Sequence, residues 1–456
     1  MKMKPLSLET IARVTGGTYV GPESDKGITI ESVEHDSRKV TPGALFLCIK
    51  GERSDGHAYA NKAFELGAVC CLSEQELPDA KGPYVQVEST LIALKALGAY
   101  YRSLFTIPVV GITGSVGKTS AKEMIASAIS AKFNICKTEA NLNNEIGVPL
   151  TLLNMREEHE AAVIEMGISD FGEMTRLGQM VRPNLCVMTN IGYCHLECLG
   201  DLNGVLKAKS EVFAQMAQNG IAVVNGDDEL LSAFDPGLKK ITYGTLSRNA
   251  LRAENIKDSG TEGIDCDIVD EKGSFSVHIP AFGSHMVLAA LAAAAVSKEL
   301  GLTDEEIAKG LLSYKAVGGR ANVTDTGVYT VINDCYNANP NSVRAALTSL
   351  GGLSGRNVAI LGDMFELGAD SDALHEGIGA FAAEKNIDLL LCCGENSKHI
   401  FEGFIKTSEK EAYHFTNRDT MIAALPTFLE KGDNILVKAS HGMHFDAVVE
   451  ALLKTE

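Results

Sequence analysis

The chain has no Cys-x-x-Cys pair, no Pro-rich or Ser-rich run, no apolar stretch of membrane-spanning length and no excess of positive charge. Each absence closes off a class of function. The 11 cysteines are scattered, adjacent only at Cys70-Cys71 and Cys392-Cys393. That usage suits reduced thiols in a cytoplasmic protein rather than a disulfide framework. The net charge is -18, from 41 Lys and Arg against 59 Asp and Glu. It argues against a nucleic-acid or anionic-membrane binder, whose affinity comes from basic neutralisation. Any anionic ligand must therefore meet local cations. The opening "MKMKPLSLETIARVTGG" lacks the apolar core of a secretory signal. "MVLAALAAAAVSKELG", from Met286, ends in charge well short of a membrane span, so it reads as a buried helix and no membrane insertion is expected.

What is present is a chain of 456 residues, 45% hydrophobic and 22% charged, which is enough for two or three globular domains. Short apolar runs alternate with helical patterns, the sequence form of parallel α/β structure. A first unit, 1–83, holds the strand "GALFLCIKG" and the helix-then-strand "HAYANKAFELGAVCCLS". A second, 84–314, begins near "YVQVEST" and carries the strands "TIPVVGIT", "AAVIEMG", "LCVMTNIG" and "GIAVVNG" before the Ala-rich helix closes it. In a third, 315–456, the runs "VYTVIND", "NVAILGD", "IDLLLCCGE", "AYHFTN" and "NILVKAS" predict a doubly wound sheet, with ligands at the carboxyl ends of its strands.

"GITGSVGKTS", residues 111–120, is the most informative stretch. A strand ends, Gly114 and Gly117 flank Ser115-Val116, and Lys118, Thr119 and Ser120 open a helix whose apolar face is Met124, Ile125, Ala128 and Ile129. Amides at a helix start point toward an anion, and glycine lets it approach. Lys118 is suited to phosphate charge and the Thr119 hydroxyl to Mg²⁺. The usual Walker spelling wants a glycine where Ile112 stands, so the pattern is the shorter Thr-Gly-x-x-Gly-Lys-Thr. Glu165 ends an apolar strand, where a carboxylate must be paired or bind metal. His195, after the next strand, is either a hydrogen-bonded structural residue or a ligand of a second ion. "CHLEC" alone does not make a zinc site, since no second ligand pair completes four-fold coordination.

Taken together, "TGSVGKTS", "NLNNEIGVP", "EMGISDFGEM", "TNIGYCHLE" and "VLKAKSEVF" resemble the central domain of the Mur ligases, ATP-dependent amide-forming enzymes of peptidoglycan precursor synthesis. The family spells its phosphate loop in the same short form. "DSRKVTPGALFLCIKGERSDGHAYANKAFELGA" resembles the first domain of the late-acting members. "NDCYNANPNSVRAAL" with "AILGDMFELG" resembles the member that joins D-alanyl-D-alanine to UDP-N-acetylmuramoyl-tripeptide. The resemblance implies a monomer of three domains, with a central P-loop-type parallel sheet and a C-terminal Rossmann-like sheet.

It also implies that ATP phosphorylates the tripeptide carboxylate and that the dipeptide amine attacks the resulting acyl phosphate. Lys118, Thr119, Glu165 and His195 then neutralise charge with one or two Mg²⁺. Lys209 reads by itself as an exposed helical lysine; by resemblance it is a lysine carbamylated by CO₂ that binds the second metal. Asn144 is either a phosphate or substrate contact or a plain turn residue. Asp334, Tyr336, Asn337 and Asn339 approach ATP, with Asp334 on the ribose. Arg320 reaches the γ-phosphate or is a surface arginine. Ser37, Arg38 and Lys50 are implied for the UDP part.

Three positions depart from the family pattern. Met286 and Ala289 stand where asparagines are usual, and His441 where arginine is common. A direct adenine hydrogen bond and a full phosphate charge are expected to be missing there. A folate-polyglutamate-type ligase, a nucleotide-binding protein without catalysis and a P-loop kinase are the rival readings. "DCYNANP" argues against the first, and the joint presence of Glu165, His195 and Lys209 against the second. A kinase would phosphorylate its acceptor without consuming an amine.

Overall fold

The computed structural model describes residues 3–51 and 54–454, which form three sheets in chain order. The first has five strands, in the order Thr18–Val20, Tyr84–Gln86, Cys70–Ser73, Ala44–Leu47, Ser32–Glu34; only the first pair is antiparallel. The segment at 84–86, expected at the head of the second unit, therefore belongs to the first. Tyr84 and Val85 are buried against the strand Cys70–Ser73, which holds them there. The helix Thr90–Ser103 follows, its first turn capped by Ser89.

Nine strands make the central sheet. Val109–Thr113 is third from one edge, between Leu185–Met188 and Ala161–Glu165, and Ile135–Lys137 forms that edge. Alternate residues supply two cores: Val109, Ala162, Ile164 and Met188 face one, while Val110, Ile112, Val163 and Val187 face the other. This is the period of two that a sheet covered on both faces demands. On the second face lie the helices Lys118–Ile129 and Met286–Glu299. The Ala-rich helix is buried, as its composition requires.

Beyond Ile221–Asn225 the sheet continues through Lys239–Gly244 into three further strands, Leu251–Asp258, Ile264–Asp270 and Gly273–Ile279, the last three joined antiparallel. None of these four is an apolar run. Five consecutive residues of Leu251–Asp258 are exposed, which hides its strand character in the sequence.

The C-terminal sheet has the order Asn322–Asp325, Thr330–Asn333, Asn434–Lys438, Asn357–Gly362, Leu389–Cys393, Glu411–Phe415, parallel except for the first pair. Val358 and Ile360 face one core, Ala359 and Leu361 the other, so the sheet is doubly wound as predicted. Among the described residues no helix is long and apolar enough to cross a membrane.

Candidate active site

The strand Val109–Thr113 delivers the chain into the Gly-rich loop, and the helix Lys118–Ile129 leaves it. Gly117 caps that helix at φ 77°, a conformation L side chains avoid. The first-turn amides, Gly117 to Ser120, have no acceptors within the helix, as at any helix start. A second wall fixes the loop. Asn190 Oδ1 accepts from Val116 N at 2.9 Å, Thr189 Oγ1 donates to Val116 O at 2.6 Å, and Ser115 Oγ donates to Gly192 O at 3.1 Å. Lys118 turns back on its own loop, with Nζ donating to Gly114 O at 2.8 Å and Ser115 O at 3.3 Å. Burial holds its pKa below the ordinary lysine value.

Glu165 is 1% exposed and fully engaged. Its carboxylate accepts from Thr119 Oγ1 at 2.9 Å and Asn143 Nδ2 at 2.8 Å, and Lys122 Nζ lies 3.9 Å away. Lys122 also pairs with Glu123 at 3.0 Å, so its charge is shared. The Thr119 hydroxyl and the Glu165 carboxylate meeting here are hard oxygen donors of the kind Mg²⁺ takes, so this pair fits that ion.

His195, Lys209 and Lys118 form a second group close enough to act on one another electrostatically. Lys209 is buried in the helix Leu202–Ser210 rather than exposed, and its ammonium has no ion-pair or hydrogen-bond partner among the described residues. Burial, then the charge of Lys118, lowers its pKa to about 8. Burial also lowers the His195 pKa, against the pull of Glu366, whose Oε2 lies 3.0 Å from His195 Nδ1. No three His, Cys, Asp or Glu side chains cluster as a metal site among the described residues. Cys194 and Cys198 are free thiols.

A cavity of about 420 Å³ joins the central and C-terminal domains. Ser115 to Ser120 and Glu165 line one side; Arg320, Asp334, Tyr336, Asn337 and Asn339 line the other. The Arg320 guanidinium stacks over Tyr336, 3.9 Å from the ring centroid, so it is anchored in the cleft rather than loose on the surface. Asp334 Oδ2 pairs with Lys438 Nζ at 2.5 Å, and its Oδ1 accepts from Ala321 N at 3.1 Å. Asn339 caps the helix Pro340–Gly351. Met286 and Ala289 do line the cavity, with apolar atoms where asparagines were expected, and His441 packs beside Tyr336.

The remaining expected residues lie elsewhere. Asn144 performs the turn role, its Oδ1 accepting from Ile146 N and Gly147 N at 3.1 and 2.8 Å. Ser37, Arg38 and Lys50 belong to the N-terminal unit; Arg38 is exposed and paired with Asp36 at 2.8 Å. Sequence reasoning missed Asn143, Lys122, Asn190 and Lys438. Of these, Asn143 and Asn190 lay within stretches the sequence singled out, "NLNNEIGVP" and "TNIGYCHLE".

Three family models match the chain: "Mur ligase family, catalytic domain" over 29–102, "Mur ligase middle domain" over 112–297 and "Mur ligase, glutamate ligase domain" over 319–441. A UDP-N-acetylmuramoyl-tripeptide--D-alanyl-D-alanine ligase of Bacillus subtilis (strain 168) is 36% identical over 457 residues, 98% of each chain. The chain belongs to the Mur ligase family. Among solved structures, this Mur ligase matches MurF from Acinetobacter baumannii with a TM-score of 0.91 at 30% identity, covering 100% of both chains. It matches the MurF ligase from Thermotoga maritima in complex with ADP with a TM-score of 0.83 at 28% identity, over 93% of this chain and 97% of that one.

Proposed function

We propose that this Mur ligase joins D-alanyl-D-alanine to UDP-N-acetylmuramoyl-tripeptide at the expense of ATP, as a cytoplasmic monomer in peptidoglycan precursor synthesis. The observation that carries the reading is the cavity shared by two domains, with an open phosphate loop on one wall and Asp334, Tyr336 and Lys438 on the other. The full-length relatives named above support the choice of substrates.

ATP phosphates lie on the amides of Gly117 to Ser120, and Lys118 exchanges its loop carbonyls for phosphate oxygens. Arg320, Tyr336, Asn337 and Asn339 hold the nucleotide from the C-terminal side. The Asp334–Lys438 pair orients the strand ends there. Transfer of the γ-phosphoryl group to the tripeptide carboxylate demands charge neutralisation and alignment more than an acid or a base. Thr119 and Glu165 would hold Mg²⁺, which supplies Lewis-acid charge at the transferred group. His195 is the remaining neutral donor beside Lys118.

Lys209 suits carbamylation. An amine with its pKa near 8 supplies neutral nitrogen to attack CO₂, forming an N–C bond and losing one proton. The carbamate would turn a cation with no partner into a ligand for a second Mg²⁺. ¹³C-bicarbonate should give a protein-bound carbonyl resonance that Lys209→Ala lacks. Ser37, Arg38 and Lys50 serve the UDP moiety, and Asn144 shapes its own turn before the helix Gly147–Leu153.

The deciding experiment is phosphate release with ATP, Mg²⁺ and UDP-N-acetylmuramoyl-tripeptide, with and without D-alanyl-D-alanine, with products followed by mass. A UDP-pentapeptide formed only with the dipeptide establishes the ligase. Product with a different amine, or none with any, refutes it.

A further inference from the structure

His195 and Glu366 are both non-glycine residues at positive φ, 50° and 62°, and their side chains meet across the boundary between the central and C-terminal domains. Backbone in this region costs energy and persists where its surroundings hold it, often at functional sites. The loop before Glu366 is pinned: Met364 N donates to His375 Nε2 at 3.0 Å and Phe365 N to Ser440 Oγ at 2.9 Å. Glu366 approaches His195 through Oε2, at 3.0 Å. Oε1 accepts no hydrogen bond among the described residues, and the side chain is 64% exposed.

Of the other carboxylates around this point, Glu197 is exposed beside the same loop and the rest are committed. Glu165 accepts from Thr119 and Asn143, and Glu173 from the amides of Ser169 and Asp170. Asp363 accepts from the amides of Ser397 and Glu395. The nearby cations are Lys118 and Lys209. They attract the anionic carboxylate and phosphates, but they repel a second substrate that arrives as an ammonium. A free carboxylate oxygen facing the same spot from the opposite domain removes that conflict.

We infer that Glu366 receives the ammonium of the incoming dipeptide and fixes its approach from the C-terminal side, an assignment that rests on the ligase reading above. Glu366 is thus a specificity-determining residue for an amine-bearing acceptor, and its contact with His195 ties the acceptor site to the phosphate site.

Glu366→Gln tests this directly, because it keeps the length and polarity of the side chain beside His195 while the charge is gone. Two activities are compared in the full chain: ligation of D-alanyl-D-alanine, and ATP-dependent hydroxamate formation with hydroxylamine, which is uncharged at neutral pH. In the second, nitrogen bonds to the acyl carbon as its bond to phosphate oxygen breaks, phosphate leaves, and a proton passes to water. The KM for the dipeptide should rise about tenfold or more, with hydroxamate formation matching wild type. Glu197→Gln, an exposed carboxylate two residues past His195, should leave ligation unchanged. Equal loss of both activities in E366Q, an unchanged dipeptide KM, or the dipeptide defect appearing in E197Q instead overturns the assignment. A wild type that forms neither product removes the ligase reading itself, and this assignment with it.

Discussion

Gly114 and Gly117 stand three residues apart in one loop for different physical reasons. A Cβ on Gly114 would lie 2.0 Å from Thr189 Oγ1, which is tied to Val116 O, whereas a Cβ on Gly117 meets nothing within 4 Å and suffers only from its φ of 77°. Gly117→Ala should cost about 1–2 kcal/mol and keep nucleotide binding. Gly114→Ala should cost about 3 kcal/mol or more and abolish it; urea unfolding and nucleotide titration separate the two. Lys209 makes a prediction of the opposite kind. In buffer stripped of CO₂, Lys209→Met removes a buried cation without a partner, so unfolding free energy at pH 7 should rise by about 2–3 kcal/mol while ligation is lost. A destabilised variant would mean that the charge is compensated. The loop residues were legible because phosphate chemistry restricts both residue type and spacing. Asn143 and Lys438 were not, since each acts on a partner 22 or 104 residues away through the fold.

At the scale of elements, apolar strands buried on both faces were readable and half-exposed ones were not. "NVAILGD" and "IDLLLCCGE" are continuous apolar runs because both sheet faces are covered. "LRAENIKD" spends its residues on solvent and leaves no comparable trace. Helix packing gives a sharper test. Gly310, in the helix Asp304–Leu312, lies where a Cβ would come within 2.5 Å of the Ala128 Cα, so that helix and Lys118–Ile129 approach backbone to backbone. Gly310→Ala should force them apart and destabilise by about 1–3 kcal/mol, read as a lower urea midpoint.

The loop carrying Glu366 has its own pH dependence. His375 Nδ1 bonds Ser371 O at 2.7 Å and Nε2 accepts from Met364 N at 3.0 Å, which requires the neutral ring; burial likewise lowers its pKa below 6.5. Below 6.5 the unfolded chain binds this proton before the native state does. The stabilisation is complete above that pH and falls as pH drops toward the depressed native value. Amide exchange at Met364 and Phe365 should accelerate, relative to the other domains, on going from pH 7 to pH 5; exchange that keeps pace with them would contradict this assignment.

Across the whole molecule, the cavity draws one wall from each of two domains, so a nucleotide bound there links them. Non-hydrolysable ATP analogue at 100 times its Kd should stabilise the bound form by about 2.7 kcal/mol. If both domains hold it, their thermal transitions rise together; a shift of one alone would mean that one wall suffices. With a net charge of -18, the protein repels anionic substrates at long range. Added salt should therefore speed substrate association, the reverse of electrostatic steering.

The inward fold of Lys118 bears on how the loop meets a phosphate. Because its ammonium rests on Gly114 O and Ser115 O, the loop carries no stranded cation. Arrival of phosphate is an exchange of acceptors rather than the rescue of an unmade bond. A ligase idling between turnovers can thus keep its loop in shape, and charge becomes available to the phosphate only as the phosphate takes the carbonyls' place.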